Sequence, residues 1–152
     1  MSEKILFTNC KIGYRNFKGE QTKYNRSGDR NFVIFLDQDL AEELSRDGFN
    51  IKYPKTRDDI SEEEDLRLPF LKVIVKYAVS QPTAVLINGS TKSAQRLTED
   101  TIDILDDIDI EECDIEINPY HWKTPDKEGI SAYLSKIYVT QKADYFSNKY
   151  GI

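Results

Sequence analysis

Residues 13–36 read GYRNFKGEQTKYNRSGDRNFVIFL, and the interpretation of the whole chain turns on them. The last seven, RNFVIFL, are β-branched and aromatic and predict a strand over 30–36. Upstream, KILFTNCKI at 4–12 is compatible with a strand that turns Ile5 and Phe7 inward and carries a bulge near Asn9. Between them, Gly19 and the pair Ser27-Gly28 mark turns in a flexible connection. That connection and its flanks hold Arg15, Lys18, Lys23, Arg26 and Arg30 against only Glu20 and Asp29. Tyr14, Phe17, Tyr24 and Phe32 are interleaved with those charges. Cationic side chains can follow a phosphate backbone, and aromatic faces can stack on unpaired bases. The competing reading is an ordinary hairpin with a solvated polar face and its aromatics packed on the core.

Downstream, Asp37-Gln-Asp39 offers an N-cap, Leu40, Ala41 and Leu44 repeat at helical spacing, and Gly48 can end the helix. FNIKY at 49–53 alternates and predicts a short strand; residues 55–68, rich in acids, predict a solvated loop. PFLKVIVKYA at 69–78 is the strongest strand pattern in the chain. TAVLIN at 83–88 follows across a turn with Pro82, and the two suggest a hairpin. Residues 91–96 read as a polar connection. Thr98 can cap a second helix whose apolar face is Ile102, Leu105 and Ile108. DIEINP at 114–119 alternates and continues through Tyr120-His121-Trp122. ISAYLSKIYVT at 130–140 predicts a closing strand with Tyr133, Ile137 and Val139 inward. Strands dominate and helices do not alternate with them. The expectation is a mainly β, β-rich α+β fold: an OB-like antiparallel β-barrel with two short inserted helices. Residues 1–140 form the single domain, and 141–152 a loosely held C-terminal tail.

The 152 residues, 39% hydrophobic and 11% aromatic, suffice for one domain with a real core. No apolar run approaches the roughly 20 residues needed to span a bilayer, so no membrane partner is expected. The N-terminus lacks the apolar core of a signal peptide. Two cysteines, Cys10 and Cys113, form neither a disulfide framework nor a metal pattern, and the expected setting is cytoplasmic. The net charge of −6 is unevenly spread. Residues 1–30 hold seven Lys and Arg against three acids, while residues 98–116 hold ten acids and no cation. Local potential rather than net charge governs binding.

Catalytic constellations are missing. The single histidine, His121, has no serine elbow or cysteine partner at a recognisable spacing, and neither a phosphate-binding nor a dinucleotide motif occurs. No cofactor and no metal are expected. The acid runs at 58–65 and 103–109 leave a Mg²⁺-dependent nuclease open as the weakest alternative. A stronger alternative is an acidic protein-interaction or DNA-mimic module built on 98–116. The binding reading gains from further aromatic–basic patches: Lys72 and Lys76 on the central strand, Lys52 and Tyr53 after the first helix, and Tyr120 and Trp122 beside Lys123. Both expected helices are acidic, so neither suits a duplex groove. The candidate nucleic-acid contacts are Tyr14, Arg15, Phe17, Lys18, Lys23, Tyr24, Arg26, Arg30, Lys72, Lys76, Tyr120 and Trp122.

Four stretches extend this reading: RNFKGEQTKYNRSGDRNFVIFLDQDLAEEL at 15–44, DGFNIKY at 47–53, INPYHW at 117–122 and SAYLSKIYVT at 131–140. Together they resemble a group of small phage-encoded proteins regarded as single-stranded DNA-binding proteins with an OB-like fold. KYNRSGDRNF at 23–32 and PYHW at 119–122 are the most specific pieces. The resemblance implies a non-enzymatic protein in the bacterial host cell that protects single-stranded DNA during phage or prophage replication and recombination. Host or phage replication proteins, and further copies of the chain, are open as additional partners. Many such binders end in an acidic tail closed by an aromatic residue. The ADYFSNKYGI ending here departs from that pattern, which puts tail-mediated recruitment in doubt.

Overall fold

A computed structural model describes residues 4–23, 25–54, 68–78 and 81–143. Within these residues nine strands share one sheet. The N-terminal run forms β1 (Ile5–Phe7) and β2 (Lys11–Asn16), and Asn9 between them takes a φ of 45°, where the bulge was expected. β3 (Arg30–Phe35) follows, then helix α1 (Gln38–Asp47). Asp37 caps α1 by accepting the Leu40 N–H at 2.8 Å, and Gly48 closes it at φ 112°. A φ in that region suits glycine, which has no Cβ to strain. β4 (Ile51–Lys52), β5 (Phe70–Val75), β6 (Thr83–Asn88), β7 (Ala94–Leu97), β8 (Ile110–Lys123) and β9 (Glu128–Gln141) complete the sheet.

The hydrogen-bonded path runs β1-β8-β9-β5-β3-β2, antiparallel except where β5 and β6 lie parallel to β9. Its two ends do not pair with each other. They are instead successive pieces of chain, and the Cys10 N–H donates to the Cys113 carbonyl at 2.9 Å across the junction. The sheet is therefore open, an OB-like arrangement whose two edge strands, β1 and β2, follow one another in the chain. The core is apolar throughout: Phe32, Ile34, Val73, Ile115, Ile117, Ile137 and Val139 are fully buried, and among the described residues no polar or charged residue is.

Three sequence expectations fail. β5 and β6 are not a hairpin. β5 pairs with β9 at Val73↔Ala132 and Ile74↔Tyr133, β6 from Thr83↔Lys136 onward, so they follow one another along the same edge of β9. The antiparallel partner of β6 is β7, drawn from the stretch read as a polar connection. The second helix is only a 3₁₀ turn, Ile102–Asp106, without a side-chain cap and with no basic residue in its last turn. Acids crowd its C-terminal end, where an α-helix disfavours them. Finally, Tyr133 is not inward. The buried residues of β9 are Ile130, Ala132, Leu134, Ile137 and Val139, and the alternation shifts between Leu134 and Ile137 opposite an irregularity at Glu116–Ile117. A bulge reverses face parity, so extrapolating back from Ile137 gives the wrong side. Of the tail, residues 144–152 lie outside the described residues, as do 55–67 of the predicted loop.

Candidate nucleic-acid interface

The antiparallel register of β3 and β5 turns Phe32, Ile34, Leu71 and Val73 inward, which leaves Asn31, Phe35, Phe70, Lys72 and Ile74 on the outer face. β2 borders that face with a bulge between Gly13 and Asn16. Within the bulge Tyr14 adopts a φ of 45° and stays 71% exposed. An aromatic residue rarely takes this conformation, which costs on the order of 1–2 kcal/mol, and such outliers concentrate at functional sites. The bulge re-aims the ring across the edges of Phe35 and Phe70, with centroids 6.0 and 5.5 Å away. Gly13 makes room for this: a Cβ there would lie 2.4 Å from the Phe35 ring.

Tyr14 and Phe70 line a cleft of about 890 Å³, whose other sides include Lys18, Lys52, Tyr53 and Lys72. Tyr53 is 46% exposed. Lys52 and Lys72 have no ion-pair partner among the described residues. Asp106 and Asp107 also line the cleft. Asp106 accepts the backbone N–H groups of Phe17 and Lys18 at 2.8 and 3.0 Å, and Asp107 pairs with the Lys18 ammonium at 3.0 Å. The Asp107 carboxylate holds the exposed Lys18 above the usual lysine value, so it is charged at neutral pH. Arg15 donates to the Leu105 and Ile108 carbonyls at 2.7 and 2.8 Å. Part of the acidic segment is therefore turned onto the basic loop, where its charge is used in folding. These contacts account for the acids crowding the 3₁₀ turn.

The loop between β2 and β3 is stapled rather than flexible. The Asn25 amide is shared among the carbonyls of Glu20, Arg26 and Asp29 at 2.9–3.0 Å, and Asn31 donates to the Asn25 side-chain oxygen at 2.8 Å. Gly28 N–H donates to the Gly19 carbonyl at 2.8 Å. Asparagine carries donors and an acceptor on one short side chain and can hold a turn as backbone would.

The sequence candidates therefore separate. Tyr14, Lys18 and Lys72 meet at the cleft. Arg15 reaches it too, with its guanidinium engaged as described. Phe17 is a correction: it has no exposed surface and stacks on Phe32 at 4.9 Å between ring centroids, so it offers no face to a base. Lys23 is exposed on the loop. Tyr24 lies outside the described residues. Arg26 pairs with Asp29 at 3.2 Å and is otherwise solvated. Arg30 lies over the Tyr77 ring at 5.4 Å, near the exposed Lys76. Tyr120 is 57% exposed and meets the Tyr133 ring edge-on at 5.9 Å. Trp122 sits apart, in a cavity of about 390 Å³ with Asp47, Gly48 and His121, and packs over Gly129. Phe35, Phe70 and Tyr133 were missed. The alternation of β3 and β5 would have exposed the first two, because both lie on the outer parity.

A family model described as "Putative phage ssDNA-binding domain" matches residues 1–152. The chain belongs to this phage single-stranded DNA-binding family. Among solved structures, the chain is similar to the single-stranded DNA-binding protein from bacteriophage Enc34 in a C-terminal truncation. That match has a TM-score of 0.55 and 11% identity, over 93% of this chain and 87% of that one. The same bacteriophage protein in complex with single-stranded DNA gives 0.54 and 10%, over 93% and 88%. At this identity the likeness is one of fold. No curated protein matches the sequence. Among the described residues no helix is long and apolar enough to cross a membrane, and no group of three or more His, Cys, Asp and Glu side chains is placed to hold a metal ion.

Proposed function

We propose that this family member binds single-stranded DNA across the outer face of β2, β3 and β5, with bases stacked in the aromatic cleft and phosphates held at its cationic rim. The observation that carries the reading is Tyr14: an exposed ring, held at φ 45° by a bulge, on the wall of a cleft that also holds Lys52 and Lys72. Its contacts with Phe35 and Phe70 leave most of the ring in solvent, and an unpaired base has a π-face that can stack on it. Tyr14 and Tyr53 stack bases, and Lys18, Lys52 and Lys72 neutralise phosphates. Arg15 shapes the rim from its carbonyl contacts. Lys23, Tyr24 and Arg26 extend the contact along the loop, and Tyr120 and Trp122 offer further rings where the strand leaves along β8. Cover of this kind protects exposed strands in phage replication or recombination, inside the bacterial host and without catalysis.

Fluorescence anisotropy of labelled oligo-dT tests this. Tyr14→Ala keeps the backbone conformation and removes only the ring, so affinity should fall roughly 5- to 150-fold, the loss of one stacked base. Wild-type affinity should fall linearly with salt on logarithmic axes. An unchanged affinity in Tyr14→Ala, or no binding by the wild type at micromolar concentrations, would sink the proposal.

A further inference from the structure

The outer face does not end at β5. Ile74 is paired with Tyr133 of β9, and Tyr133 with Asn118 of β8, so the parity that exposes Lys72 continues across both strands. Tyr120 stands opposite Ser131 on that face, diagonal to Tyr133, and the two rings meet edge-on at 90° with centroids 5.9 Å apart. Tyr120 is exposed and Tyr133 half-buried. Tyr133, Ile74 and Lys72 line a notch of about 230 Å³ beside the main cleft. Its one carboxylate among the described residues, Asp29, is paired with Arg26. Lys72 lines both cavities and has no ion-pair partner among the described residues.

Two rings that hold each other edge-on lose little further freedom when a base stacks on one of them. Ile74 adds apolar surface beside Tyr133. We propose that the Tyr120–Tyr133 pair is a second base-stacking station, engaged by the same strand that occupies the Tyr14 cleft. The sheet fixes its offset. Phe70, at the cleft, and Ile74 stand four residues apart on β5, about 13 Å at the rise of a strand. Tyr133 lies one strand farther over, about 4.8 Å at right angles to that direction. The two stations are therefore about 14 Å apart. Bases stacked as in a duplex advance about 3.4 Å each, so the strand takes about four steps between stations, and an extended strand takes fewer. Lys72 stands midway between Phe70 and Ile74, where the backbone joining the two bases passes. The inference rests on the single-strand reading and adds to it a second contact, at a set spacing, centred on Tyr133.

The experiment compares a labelled oligo-dT of about twelve nucleotides, long enough to span both stations, with a labelled thymidine dinucleotide, which can occupy only one. Tyr120 is exposed, so Tyr120→Ala should fold normally. Tyr133→Phe keeps the ring and should bind both ligands as the wild type does. Tyr133→Ala should weaken the longer strand roughly 5- to 150-fold, the loss of one stacked base, and Tyr120→Ala should weaken it in the same direction. Neither alanine variant should weaken the dinucleotide by more than about twofold, because the Tyr14 cleft still holds it and no second contact is linked to the first. If Tyr14→Ala weakens the longer strand while Tyr120→Ala and Tyr133→Ala bind it as the wild type does, the second station is overturned and the single-strand reading stands. If the two alanine variants weaken the dinucleotide as much as the longer strand, the pair and the cleft serve one base, and the second station is likewise overturned. If the wild type binds neither ligand, both proposals fall.

Discussion

Replacing Asp106 by Ala removes one carboxylate that satisfies two backbone N–H groups. Its oxygens accept from Phe17 at 2.8 Å and from Lys18 at 3.0 Å, the first of these partly buried. A hydrogen bond to a charged group contributes about 1.5–3 kcal/mol, and the solvated one belongs at the bottom of that range or below it. Two bonds on one group do not add fully, so the expected loss is about 2–4 kcal/mol. For a domain of this size each kcal/mol moves the midpoint by about 2–4 °C, which predicts a drop of roughly 5–15 °C in thermal unfolding followed by far-UV circular dichroism. Asp106→Asn keeps one acceptor oxygen and should recover about half of that. The damage should be local first. Phe17 is delivered into the core by this anchor, so hydrogen exchange at residues 17 and 18 should accelerate before the sheet responds. A midpoint within about 2 °C of wild type, with unchanged exchange at those amides, would refute the claim that the 3₁₀ turn bolts the loop down.

Phe17→Ala should cost about 3–5 kcal/mol in urea unfolding, because a fully buried ring stacked on Phe32 is lost, whereas Phe17→Leu should fold and bind oligo-dT within twofold of wild type. A large selective loss of binding in Phe17→Leu would restore the stacking role that burial denies it. Asp107→Asn frees Lys18 for phosphate and should raise oligo-dT affinity a few-fold at low salt, a gain that vanishes in high salt. Cys10 and Cys113 share a hydrogen bond that holds the Cys10 thiol below its ordinary value and, with burial, pushes Cys113 up. A lower value means more thiolate at a given pH, so iodoacetamide at mildly alkaline pH should modify Cys10 first in the native protein, as mapped by mass spectrometry.

Much of the frame was legible because the local signals agreed with the tertiary outcome. The Asp37 cap, the Leu40–Leu44 spacing and the Gly48 terminator all point to one helix. RNFVIFL and PFLKVIVKYA can be little other than strands. The errors arose where a distant contact outweighed a local one. β5 and β6 look like a hairpin until β9, about fifty residues later, supplies a single edge for both. The helix expected at Thr98 yields to a 3₁₀ turn whose carboxylates and carbonyls hold Phe17, Lys18 and Arg15. Tyr133 was misplaced by a bulge that leaves no mark on composition. In the candidate interface, Tyr14 and Lys72 could be named from charge and aromatic interleaving. Phe17 belongs to the same pattern, yet lies inside, because its direction depends on Asp106. Phe35 and Phe70 sit inside apolar strand runs, and only the alternation of β3 and β5 places them outside.

The placing of β1 and β2, neighbours in the chain, at opposite ends of the sheet has a consequence for the order of assembly. β2 finds β3 within about twenty residues, but β1 must wait for Ile115–Ile117, more than a hundred residues downstream. Closing so long a loop is slow, and topologies rich in such distant pairings fold in milliseconds to seconds. During synthesis on the ribosome, Ile5–Phe7 therefore waits as an unpaired edge until most of the protein has emerged. β9 emerges after β8, so its pairings with β5, β6 and β8 are the ones that complete the sheet.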